Sequence, residues 1–222
     1  MNFLSHYYFD RIVDKPYHNF GLILPDLMSI FKRGWKIERK SSSEIPDNKE
    51  YQVIIGMMKH YELDKIFHQS NYFKKHTFLI KQLIIDEHFE NQLSRTFFIA
   101  HILLELVIDR IIVERDISIL NDFYTDLEKV EIRNIDYMFE DRNEINIEKF
   151  NRFFWKFRNI RYLYKYKNDN AIVYILNKVL SRVGLKSIKS KKEITKMKNT
   201  ISKIRLIIKD NFDELELMRK GE

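Results

Sequence analysis

The chain has 222 residues, 45% of them apolar and 14% aromatic, enough to bury a core and too hydrophobic for a disordered chain. Only 5 glycines, 3 prolines and no cysteine occur, which argues against many short strands and tight turns and excludes disulfide frames, zinc-finger modules and cysteine nucleophiles. The net charge is +7, and nine basic residues between Arg182 and Arg205 face only Glu193, the mark of either an acidic partner or a solvated helix face.

In chain order, the first helix reads from Asn2 to about Asp14, closed by Lys15-Pro16. Gly21 and Pro25 punctuate the next segment, with Pro25 suited to the first turn of a helix carrying Asp26 and Met28 to Phe31. Residues 38–50 read as an exposed loop. Helix resumes near Asp47 and runs past His60 toward His68, with Gly56 as a close-packing point or a weak spot. Ser70-Asn71 signals a turn or cap before a helix from Tyr72 to Glu87, and Ser94 is the expected cap of a helix ending near Arg115. Further helical segments follow over Asn121–Phe139, Ile147–Lys167, Ala171–Val183 (with Gly184 just past its end) and Lys191–Met218. The N-terminal residues lack the basic and apolar regions of a secretory signal. The most apolar stretch, Phe97 to Val113, is broken by His101, Glu105, Asp109 and Arg110, so it does not read as a membrane span. The expectation is a cytoplasmic, all-α protein with one helical domain over residues 1–222, a multi-helix bundle ending in a basic helix at about 188–218.

Two helices carry polar residues where an apolar stripe would serve. His60, Asp64 and His68 are four apart and share one helix face, and His101, Glu105 and Asp109 repeat the spacing inside an otherwise apolar helix. A buried carboxylate requires a partner to offset its desolvation. Neutral imidazoles with carboxylates suit Mn, Fe, Zn or Mg. A single His or Asp on a helix is usually a satisfied or solvated residue, so the two matching triads leave ligand set and structural polar pair both open. Gly-rich phosphate loops, nucleophile elbows, H-E-x-x-H helices and EF-hand loops do not occur. The Phe150–Lys167 segment alternates aromatic and basic residues, but at helical spacing it reads as an amphipathic helix with a basic outside rather than a nucleic-acid stacking surface.

Met1-Asn2-Phe3-Leu4-Ser5-His6, Gly21-Leu22-Ile23-Leu24-Pro25-Asp26-Leu27 and Gly56-Met57-Met58-Lys59-His60-Tyr61-Glu62-Leu63-Asp64 stand in order along the chain. Together they resemble blocks of the acyl carrier protein phosphodiesterases, hydrolases that remove 4′-phosphopantetheine from holo acyl carrier protein. The stretch from Tyr162 through Asn177 to Arg182 is similar to that family's late helices. The resemblance implies an HD-like helical fold related to metal-dependent HD-type phosphohydrolases, a divalent metal, and an acidic carrier protein as partner. It implies a site in which His6, Asp26, His60, Asp64, His68, His101 and Glu105 supply metal ligands, with Asp64 and Asp109 as candidate catalytic carboxylates. Lys191, Lys192, Lys196 and Lys198 would form the docking surface for the carrier protein. The chain departs from the family in two places. His68 stands where a second acid follows the His-x-x-x-Asp block, and Glu105-Leu106 stands where an Asp-His pair is expected. Two other readings remain open: a di-metal Fe/Mn redox protein built on the same ligands, and a non-enzymatic module that binds through its basic helix.

Overall fold

A computed structural model describes residues 1–32, 49–90, 93–135 and 145–220. Among them the regular structure is helical, without a strand. The elements are α1 (Phe3–Asp10), α2 (Pro16–Phe31), α3 (Lys49–Gln69), α4 (Asn71–Asp86), α5 (Thr96–Arg115), α6 (Ser118–Glu128), α7 (Ile147–Ile160), α8 (Asp169–Arg182), α9 (Lys191–Asp210) and α10 (Phe212–Lys220), with 3-10 turns at Ile132–Asn134 and Tyr162–Lys167. Most of the loop expected at 38–50, and the end of the segment expected to reach Phe139, lie outside the described residues. Among the described residues no helix is long and apolar enough to cross a membrane.

The contacts divide the chain into two compact units. The first comprises Met1–Asp64 and Ile117–Leu163, the second Lys65–Asp116 and Tyr164–Glu222. Each is assembled from two separate stretches and the boundary falls inside α3, so neither a linker nor a change of composition marks it.

Several helix ends follow local chemistry. The Ser70 hydroxyl accepts the Phe73 N–H at the start of α4, and the Asn146 carbonyl group of the side chain accepts the Lys149 N–H at the start of α7. Ser190 and Glu193 form the start of α9, with the Glu193 N–H on the Ser190 hydroxyl. Gly184 has φ 75°. Its N–H goes to the Ser181 carbonyl and that of Leu185 to Leu180, a Schellman end for α8.

Other boundaries differ from the sequence expectation. Pro16, not Pro25, opens α2, and Pro25 lies inside the helix. The hydrogen bond that Pro25 forgoes is the one to the Gly21 carbonyl. Ser94 is not the cap of α5, since Arg95 holds that position in a left-handed conformation. Arg161, also left-handed, ends α7 before the 3-10 turn, and Asn211 separates α9 from α10.

In the first unit α1, α2 and α6 pack around Leu4, Phe20, Leu24, Phe123 and Tyr124, all essentially buried. Each such side chain contributes about 1.5–3 kcal/mol relative to exposure. Buried Asp126 accepts from the Tyr7 hydroxyl at 2.8 Å and from Asn19 at 2.7 Å, tying α6 to α1 and α2. Gly21 and Gly56 let α2 and α3 touch backbone to backbone. A Cβ on Gly21 would lie 2.2 Å from the Val53 carbonyl oxygen, and one on Gly56 2.1 Å from that of His18.

In the second unit α5 is the central helix, packed by α4, α8 and α9. Leu103, Leu104, Val107, Ile108 and Ile111 are buried on it, as its apolar sequence requires. Arg110 is also buried. It is satisfied by Glu114, Asp169 and the Lys167 carbonyl, while Arg205 of α9 pairs with Glu114.

Candidate metal-binding sites

Two groups of the expected ligands come together, one within each unit. In the first unit His6 from α1, Asp26 from α2 and His60 from α3 bring one ligand atom each within 4.8 Å of one another. The His6 and His60 rings stack, centroids 3.7 Å apart and 21° from parallel, and both histidines are buried. His60 donates its Nδ1 proton to the Leu22 carbonyl at 2.8 Å. That bond fixes the tautomer and leaves the Nε2 lone pair directed at the set, as a metal-ligating imidazole requires. Burial, helped by His6, pushes the His60 pKa down to about 3, so the ring is neutral at ordinary pH.

Asp64 stands beside this set. One carboxylate oxygen lies 3.3 Å from His6 Nε2 and receives the Met1 amino group, and the other lies 3.6 Å from His60 Nε2. Burial alone would raise its pKa, but the His6 hydrogen bond, the Met1 charge and His60 hold it well below the usual carboxylate range. Tyr61 lies close enough to Asp26 and Asp64 for its phenol pKa to rise, with burial the larger cause. Sequence reasoning passed over the Met1 amine, the Leu22 carbonyl and Tyr61. The first two act through backbone groups that carry no residue-type signal.

In the second unit His68, His101 and Glu105 form the other set. His68 Nε2 is 3.1 Å from His101 Nε2, and Glu105 Oε1 is 2.8 Å from His101 Nε2 and 3.4 Å from His68 Nε2. Phe73 meets both imidazoles edge to face, with centroids 5.0 Å away in each case. Burial would raise the Glu105 pKa, but surrounding positive charge and hydrogen bonds from His101 and His68 keep it well below the normal range. Asp109 lies one turn further along α5, fully buried and outside this donor set. Both sets join imidazole nitrogen to carboxylate oxygen, a composition that fits a divalent cation.

The four lysines expected on a docking surface do not share one environment. Lys191 and Lys192 are exposed, Lys196 and Lys198 half-buried. Lys192 pairs with Glu90 at 2.7 Å. Lys196 donates to the Glu87 and His88 carbonyls at 2.8 and 2.7 Å, and Lys203 pairs with Glu87. Part of the positive charge therefore fastens the C-terminal end of α4, where a cation also complements the helix dipole. Beneath the lysines Ile188, Met197, Ile201 and Ile204 are buried and Ile194 is only partly so. A cavity of about 840 Å³ near the start of α9, lined by Leu93, Ile99, Leu180, Leu185 and Ile188, contains none of the candidate metal ligands.

Comparisons with protein-family models, curated proteins and solved structures return no match. The functional reading therefore rests on the donor sets and the sequence blocks that supply them.

Proposed function

We propose that the protein is a metal-dependent phosphodiester hydrolase, of the kind that releases 4′-phosphopantetheine from an acidic carrier protein. One observation carries the reading. The three sequence blocks that resemble those hydrolases lie far apart in the chain, yet their polar residues His6, Asp26 and His60 meet at one point, with Asp64 beside them. The all-helical architecture agrees with the HD-type fold that the resemblance implies.

His6, Asp26 and His60 would hold the divalent ion, Mn, Mg, Fe or Zn. When bound, such an ion supplies Lewis acidity toward water and toward a phosphoryl oxygen. The chain's own groups do the rest. His60 is held by the Leu22 carbonyl and does not need to reorient. Asp64, ionised and held by His6 and Met1 through one oxygen, has its second oxygen in position to accept a proton from water. Tyr61 keeps its phenol proton and serves as a donor to the departing oxygen. Exposed Lys186, Lys189 and Lys191 supply long-range attraction for an acidic carrier protein.

The direct test is phosphopantetheine release from holo acyl carrier protein by protein loaded in turn with each metal. His60→Gln should abolish release and Asp64→Asn should lower it by about 100-fold or more, with the helical circular dichroism retained in both. No release with any of the metals would reject this substrate.

A second reading has one specific observation in its favour: each donor set contains two histidines and one carboxylate, the pattern of non-haem iron sites. Oxygen consumption by the iron-loaded protein, without phosphodiester cleavage, would select it.

A further inference from the structure

We propose that the cavity near the start of α9 is a binding site for a linear aliphatic carboxylate, whose chain enters the cavity while its anionic head stays at the mouth. The site lies wholly within the second unit. It does not rest on the hydrolase reading, whose candidate ligands lie in the first unit.

Size and depth are the first argument. The cavity holds about 840 Å³, within the range of about 300–1,000 Å³ usual for small-molecule sites. Burial grades its lining. Ile99 of α5, Leu180 of α8 and Ile188 are buried, Leu93 and Leu185 are half-buried, and Lys186 and Lys189 are exposed. The deep part is therefore aliphatic, and the cations stand at the outside. Among the described residues no aromatic side chain lines the cavity, so nothing there offers a ring face to a nucleobase. An alkyl chain suits an aliphatic floor, because burying it leaves no polar group in need of a partner.

Charge is the second argument. Two acids and two lysines line the cavity, but the acids are already engaged. Glu90 pairs with Lys192 at 2.7 Å. Glu193 stands in the first turn of α9, where its charge complements the positive end of the helix. The Lys186 and Lys189 side chains, by contrast, have no hydrogen-bond or ion-pair partner among the described residues. The same holds for the hydroxyls of Ser94 and Ser187, which also line the cavity. Ammonium and hydroxyl donors both suit a carboxylate head.

The wall is also held in place. Gly184, with φ 75°, turns the chain out of α8, and the Leu185 N–H is bonded to the Leu180 carbonyl at 2.8 Å. The Asn177 side chain then clamps Ile188, accepting its N–H at 2.7 Å and donating to its carbonyl at 2.8 Å. Lys186 and Ser187 sit between these two fixed points, so a ligand meets a wall that is already formed.

The test is calorimetric titration of the full chain with octanoate at pH 8, with 1-octanol and butanoate as comparisons. Methyl NMR of the protein labelled at isoleucine and leucine locates the ligand. One octanoate per chain should bind, with shifts at the methyls of Ile99, Leu180 and Ile188. Octanol, which lacks the charge, should bind about 5-fold more weakly or worse, and butanoate about 10-fold more weakly or worse. Replacing Lys186→Ala and Lys189→Ala together should weaken octanoate by about 5-fold or more and leave octanol unchanged. Both positions are exposed, so the fold is not at risk. His60→Gln should bind octanoate as the unaltered protein does. The proposal is overturned if octanoate binding does not saturate, if the shifts fall elsewhere, if octanol binds as tightly, or if the double replacement has no effect. It also falls if that replacement slows carrier-protein association while octanoate does not bind, since the two lysines would then serve docking alone. Octanoate binding without phosphodiester cleavage would reject only the hydrolase reading.

Discussion

His60 gives its Nδ1 proton to the Leu22 carbonyl at 2.8 Å, across a helix crossing that exists because Gly21 and Gly56 have no side chains. The tautomer of one candidate ligand is thus set by two glycines on two different helices.

Gly21→Ala and Gly56→Ala should therefore harm both fold and site. The added Cβ would meet backbone oxygen at 2.2 and 2.1 Å, and backbone yields less readily than a flexible side chain. Each variant should lose about 3 kcal/mol or more in urea unfolding. Each should also bind metal more weakly in the first unit. Gly184→Ala makes an internal comparison. Its Cβ meets nothing within 4 Å, so only the strain of φ 75° remains, and the loss should be about 1 kcal/mol.

Acid should destabilise the metal-free protein well above the usual carboxylate range. The folded pKa of His60 is pushed down to about 3 from 6.5 by burial first, and burial also lowers those of His18 and His76. Between the two His60 values the unfolded chain binds more protons, so stability rises with pH there. The contribution is complete above pH 6.5 and is lost as pH falls toward 3. Asp64, also lowered, works in the same direction at lower pH. Urea midpoints measured from pH 8 to 4 should fall steadily, and the slope should be shallower in His60→Gln.

The α9 lysines should separate into two classes. Lys196→Ala removes the donor to the Glu87 and His88 carbonyls and should cost about 1–2 kcal/mol. Lys191→Glu, at an exposed position, should leave stability within about 0.5 kcal/mol. If a carrier protein is the partner, Lys191→Glu should slow its association, and added salt should slow association with the unaltered protein. Stopped-flow binding at two ionic strengths measures both effects.

Asp64→Asn distinguishes a chemical role from a ligand role. Asparagine keeps the shape but cannot accept a proton from water. Turnover should fall by about 100-fold or more, while metal affinity in the first unit changes much less. Equal losses in both would make Asp64 a ligand instead.

The sequence by itself determined the helical class and much of the helix register. Scarce glycine and proline, with apolar residues at helical spacing, leave few alternatives to helices, and caps such as Ser70 and Gly184 act through neighbours a few residues away. The pairing of His101 with Glu105 was legible for the same reason: residues four apart share a helix face whatever surrounds them. Only the tertiary structure decided which faces meet. His6 reaches His60 because α1 and α3 converge in one unit, and His68 reaches His101 because α3 ends beside α5 in the other. Each unit closes through contacts between segments far apart in the chain, as when Asp126 joins Tyr7. Such contacts leave no periodic mark in the sequence. Charge was similarly ambiguous. Composition counts a lysine, but only packing decides whether, like Lys191, it faces water or, like Lys196, spends its hydrogen bonds on the chain's own carbonyls.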